Sequence, residues 1–256
     1  MKIQTQTYIT VFGLALFLLL SPLGPVWECR ADTAADRQIY ADLLKKYVKQ
    51  ERVDYQGLKT EEQRLDRYLK TLEKTDSGKL SRKEAFAFYI NVYNAWTVKL
   101  ILTGYPGVKS IKDLGSLLKS PWKKKICRVD GTIRTLDYIE HEILRPRFKD
   151  PRVHFAINCA AASCPPLRSE PYEGETLERQ LNDSAQAFIN DPKRNYLEGN
   201  KLYASKIFKW FAADFNDDVV GFFIKYSQND FKQRLEALKG KIKVKYLHYD
   251  WSLNGA

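Results

Sequence analysis

The sequence predicts an α+β fold: a single mainly helical domain with a small, mostly antiparallel sheet around a central buried helix. Three observations predict it. Helical spacing of apolar residues dominates the 256-residue chain, short strand-like runs are joined through helices and one hairpin, and the stretch 85–102 is apolar on nearly every side. Hydrophobic residues make up 44% and charged residues 29%, which excludes a disordered or fibrous chain. No repeat, low-complexity tract or long linker divides the chain, so one domain is expected over 32–256.

Residues 1–31 read as a signal peptide. Lys2 precedes the apolar run Val11–Leu20, Pro22, Gly24 and Pro25 break it, and Cys29-Arg30-Ala31 offers small residues at cleavage spacing. Ten apolar residues fall short of the about 20 that cross a bilayer. A periplasmic or secreted location follows, with an uncleaved anchor and a lipid on Cys29 as the rival outcomes. After cleavage three cysteines remain, Cys127, Cys159 and Cys164, an odd number for an exported chain.

Ala34–Gln50 and Glu61–Lys74 have helical spacing, linked by an extended Val53–Tyr55. Ser81 and Glu84 form a capping box that opens the central helix, which runs to Leu102 and stops before Gly104 and Pro106. Ile126–Thr132 reads as a strand turning at Asp130-Gly131, and Leu136–Arg145 as a helix stopped by Pro146. Val153–Ile157 reads as a buried strand, Glu175–Asn190 as a helix and Asn195–Ala204 as a hairpin. Three short helices are expected over Lys206–Leu238. The alternating Lys239, Lys241, Lys243 and Lys245 lead into a last strand toward Tyr249–Asn254.

Polar residues in apolar surroundings mark the candidate site. Asn91 and Asn94 share one face of the central helix, either to brace a neighbouring loop or to orient catalytic groups. Glu140 falls on the apolar face of its helix, where it needs a partner: an ion pair with Arg145 or another arginine, or an imidazole that it orients. There are three histidines. His154 in a buried strand is by default a hydrogen-bonded core residue, and His248 has no chemical company. His141 lies between Glu140 and Glu142, where carboxylates favour its charged form.

The small-residue turn Asn158–Pro166 follows the buried run and presents Cys159 and Cys164. Three uses stay open: a Cys159–Cys164 disulfide, a nucleophilic thiolate activated by histidine, and a zinc site with His141 and His154. The spacing between the cysteines is loose for zinc, and no metal or cofactor is expected. In a regular strand His154 and Cys159 point to opposite faces, so His141 is the preferred base. The chain lacks a dinucleotide fingerprint, a phosphate loop, a nucleophile elbow and a His-Glu-x-x-His motif. A net charge of +11 suits loose association with an anionic membrane surface. The basic run Lys119–Arg128 reads as a solvated loop, so no nucleic acid is expected.

Four blocks together resemble the domain of unknown function 547 family: Ala85–Ala95, Leu136–Arg145, Val153–Arg168 and Tyr249–Asn254, spanning about 36–254. Phe88 departs from the family pattern, which more often has Trp. The resemblance implies that Asn91, Asn94, Glu140, His141, His154 and Cys159 belong to a shared pattern. Plant members that keep a cysteine at the Cys159 position and lack one at Cys164 imply that Cys159 is not there mainly for a disulfide. Two functions are expected. One is a cysteine-dependent hydrolase or acyltransferase, with Cys159 as nucleophile, His141 as base, Glu140 as orienting carboxylate and an Asn amide as donor. The other is a non-catalytic envelope binding or scaffold module. The ligand in either case is a small molecule, peptide or envelope component.

Overall fold

The computed structural model describes residues 26–116 and 119–255. The apolar run Val11–Leu20 and its breakers lie outside them, and the Cys29-Arg30-Ala31 segment falls within the first helix. Among the described residues no helix is long and apolar enough to cross a membrane.

The core is built on α4 (Arg82–Leu102). Ser81 caps it reciprocally with Glu84, as the capping box predicts. From Ala85 to Leu102 every side chain is buried except Lys99, which is anchored to Glu62 at 2.7 Å and Asp66 at 2.5 Å. Before it come α1 (Val26–Tyr47), the strand pair β1 (Val48–Lys49) and β2 (Arg52–Val53), α2 (Tyr55–Thr60) and α3 (Glu62–Lys74). Leu65, Tyr68, Leu69 and Leu72 form the buried stripe of α3, at the spacing that lays one helix face on its neighbours.

A hairpin follows, β3 (Cys127–Val129) with β4 (Thr132–Arg134). Asp130 and Gly131 turn it with φ of 49° and 65°, the conformation that a two-residue hairpin demands. Thr135 then caps α5 (Leu136–Tyr138), whose axis continues as a wider π-helix over Ile139–Phe148. Pro146 therefore does not stop this helix, contrary to the sequence expectation. In an α-helix its ring would collide with the carbonyl four residues back. The chain winds wider instead and ends at Lys149 in the left-handed region.

The buried strand expected at Val153–Ile157 is absent. Asp150 caps a 3₁₀ helix at Pro151–Phe155, accepting from the Arg152 amide at 2.9 Å, and Pro151 supplies its first residue. Val153, His154 and Phe155 are all buried, so a short apolar run is as compatible with a tight helix as with a strand. With no regular strand there, His154 and Cys159 are not forced onto opposite faces.

After α6 (Leu177–Ile189), the antiparallel β5 (Tyr196–Glu198) and β6 (Lys201–Ala204) turn at Gly199-Asn200. Four helical pieces, not three, follow: α7 (Ile207–Trp210), a 3₁₀ turn at Ala212–Phe215, α8 (Val219–Tyr226) and α9 (Asn229–Ala237). β7 (Lys243–Tyr246) joins β6 in parallel. The described strands thus form three small sheets, mostly antiparallel, around a mainly helical domain. One apolar cluster surrounds α4. A second gathers Phe155, Phe188, Phe208, Phe215, Phe222 and Phe223, and Trp251 packs against both.

Candidate functional site

A pocket of about 240 Å³ opens where the two clusters meet. Cys159, Cys164, Tyr249, His154, His141 and Glu140 all line it, and Tyr93, Asp137, Trp122, Trp210, Phe211 and Trp251 are among the other residues of its wall. The sequence-predicted thiol, histidines and carboxylate are therefore brought together.

The loop that carries Cys159 is held from three directions. Asn158 is buried; its amide donates to the Pro165 carbonyl at 2.7 Å and its Oδ1 accepts from the Ala160 N–H at 2.9 Å. That clasp holds Ala160 at φ 62°, a region that costs a non-glycine residue about 1–2 kcal/mol. Asn94 reads the other side, donating to the Ala156 carbonyl at 2.9 Å and accepting from the Asn158 N–H at 2.8 Å. The C-terminal segment forms the lid of the clasp: Ala162 N–H donates to Ser252, Ser163 N–H to Asp250, and Asn254 N–H to Ala160. Asn91 is equally saturated, exchanging two hydrogen bonds with the Tyr172 backbone. Neither Asn91 nor Asn94 lines the pocket. Both shape the backbone behind it.

Cys159 is half-buried and Cys164 buried, and both are free thiols whose sulfurs lie 2.8 Å apart. The Cys159 N–H donates to the Cys164 sulfur at 2.8 Å, and Tyr249 Oη lies 3.2 Å from Cys159 Sγ. Burial opposes ionisation of Cys159, but donation from Cys164, Tyr249 and the Ala161 backbone outweighs it and lowers its pKa. Burial, with Cys159 beside it, pushes the Cys164 thiol well up. Tyr249 is also pushed well up by burial and the two thiols, so it remains a proton donor.

Among the described residues no hydrogen bond joins Cys159 to an imidazole; the partners of its sulfur are Cys164, Tyr249 and the Ala161 backbone. His141 Nδ1 accepts from the Arg145 guanidinium at 2.9 Å, which places the proton of a neutral ring on Nε2, 3.9 Å from Asp137. Its basic nitrogen is thus already engaged. His154 pairs with a carboxylate through Nε2, 2.7 Å from Asp214 Oδ2, while its ring stacks on Phe211 at 4.0 Å. Asp214 also takes two bonds from Arg145, at 2.6 and 2.9 Å. Burial works against its ionisation, but His154 and Arg145 overcome that and hold its pKa well below the carboxylate range.

Arg145 thus pairs with Asp214, and Glu140, though buried, takes the Tyr93 hydroxyl instead. Sequence reasoning missed Asp214, Tyr93 and Tyr249. Asp214 follows two alanines far along the chain and carries no local signal. Tyr249 opens the last of the four family-like blocks, but nothing in its sequence surroundings points to chemistry. His248 is exposed and apart from the pocket. Among the described residues, no group of three or more His, Cys, Asp or Glu side chains is arranged to hold a metal ion.

No curated protein and no solved structure matches the chain. A family match covers residues 77–189, from the turn before α4 to the end of α6, and includes Asn91, Asn94, Glu140, His141, His154, Cys159 and Cys164. That segment matches the model of the family described as "Protein of unknown function, DUF547", in keeping with the resemblance read from the sequence.

Proposed function

We propose that the protein is a cysteine-dependent hydrolase or acyltransferase in which Cys159 is the nucleophile. The observation that carries this reading is a single pocket lined both by a half-buried thiol with a lowered pKa, Cys159, and by His154, whose Nε2 is bonded to Asp214. The Cys159 thiolate attacks an acyl carbonyl, a thioester forms, and the bond to the leaving group breaks. Protonated His154, held by Asp214, gives its proton to the leaving group and then takes one from the incoming water or alcohol. The oxygen of that water or alcohol bonds to the thioester carbonyl carbon as the C–S bond breaks and the Cys159 thiolate is released. In this reading Asp214 replaces Glu140 as the orienting carboxylate and His154 replaces His141 as the base. Tyr249 and Cys164 hold the thiolate before attack.

The leader-like residues 1–31 support placing this chemistry outside the cytoplasm. The three tryptophans around the pocket support a second reading, a module that binds an envelope ligand without turning it over. A chromogenic acyl ester, supplied with a reductant, separates the two. The hydrolase reading expects an acyl adduct on Cys159 in acid-quenched wild-type protein and its loss in Cys159→Ala. Absence of the adduct, or unchanged ester turnover in Cys159→Ala, supports the binding module and overturns the enzyme.

A further inference from the structure

Cys164 shares the task of holding a Cys159 thiolate with Tyr249 and the Ala161 backbone, so it is not the sole donor to that sulfur. It is not needed to hold the loop. The Asn158 clasp, the Asn94 bonds and the three backbone bonds to Ser252, Asp250 and Asn254 fix both ends of 158–165. A bridge across so short a loop would restrict the unfolded chain little, since disulfide stabilisation grows with loop length. Yet Cys164 Sγ sits 2.8 Å from Cys159 Sγ; both cysteines line the pocket, Cys159 half-buried and Cys164 buried. A half-buried thiol in direct contact with a buried one is the arrangement of an attacking and a resolving cysteine.

We propose that Cys159 and Cys164 form a redox-active dithiol that reduces a low-molecular-weight disulfide admitted to the pocket. The Cys159 thiolate attacks one sulfur of the external disulfide. Its S–S bond breaks, a mixed disulfide forms on Cys159, and the first leaving thiolate takes up a proton. Cys164 then loses its proton and attacks Cys159 Sγ, closing the Cys159–Cys164 bond and expelling the second thiol, which carries that proton away. Two protein thiols are oxidised and one external disulfide is reduced to two thiols, so electrons balance without a further oxidant. The pocket size favours a small disulfide over a folded protein one. The external disulfide then also controls acyl chemistry, because the closed pair has no nucleophile.

This proposal shares the nucleophilic Cys159 with the acyl-transfer reading but needs no acyl donor, so either can fail alone. The probe is oxidised glutathione, added to reduced protein and followed by intact mass and peptide mapping. Wild type should lose two hydrogens, retain no glutathione and yield a Cys159–Cys164 cross-link that dithiothreitol reverses. Cys164→Ala should keep one glutathione, on Cys159. Cys159→Ala should take up none at Cys164. Should Cys164→Ala not fold, early acid quenching of wild type replaces it, with a transient glutathione on Cys159 expected. Stable glutathione on wild-type Cys159, first attack at Cys164, or no reaction at either cysteine would overturn the proposal.

Discussion

Asn94→Ala is the sharpest test of how the core shapes the site. Asn94 is 2% exposed, and its amide is the partner of both the Ala156 carbonyl and the Asn158 N–H, at 2.9 and 2.8 Å. Truncation leaves both backbone groups buried without that partner. Each such group costs about 1–3 kcal/mol, so the two together should cost about 2–6 kcal/mol. Against a typical domain stability of about 5–15 kcal/mol, that is a large fraction. Urea unfolding followed by tryptophan fluorescence, with wild type and mutant sharing one m-value, measures the loss. Because Asn158 holds the Cys159 loop, the mutant should also alkylate its thiols less selectively in the native state. A destabilisation below about 1 kcal/mol would mean that water replaces the amide, and the bracing role of Asn94 would fall.

Two further outcomes are expected. The folded-state pKa of Asp214 is depressed, so its contribution to stability is full above the unfolded carboxyl value of about 3.9 and is lost as pH falls below it. Asp214→Asn should therefore be less stable than wild type near neutrality and converge with it in acid; parallel urea midpoints down to low pH would contradict the ion pair. For the proposed export, intact mass of protein purified from its own host should show a chain beginning near Asp32, and a retained Met1 or a lipid on Cys29 would count against it.

Much of the fold was legible because its signals are local. The Ser81–Glu84 box, the all-round apolar pattern of α4 and the Asp130-Gly131 turn each specify structure within a few residues. The errors arose where local pattern underdetermines geometry. Val153–Ile157 is too short for period two to be told from a tight helix, and Pro146 reads as a stop unless a π-helix accommodates it. At the site, residue types pointed to Cys159, His141 and Glu140 and left His154 by default a core residue, but pairing depends on tertiary approach. Asp214 reaches His154 across 60 residues and Tyr249 reaches Cys159 across 90, distances over which spacing carries no information.

The central claim is that the pocket makes Cys159 a nucleophile, and its alkylation rate at about pH 6.5 under reducing conditions tests it most directly. Cys127 is the internal reference, fully buried with its pKa pushed up to about 12. Cys159 should react faster than Cys127 and Cys164. Tyr249→Phe removes a donor to a charged sulfur, worth about 1.5–3 kcal/mol, so it should raise the Cys159 pKa by about one to two units and slow the reaction by about tenfold or more. Cys159 reacting no faster than the two buried thiols, or unaffected by Tyr249→Phe, would contradict the account.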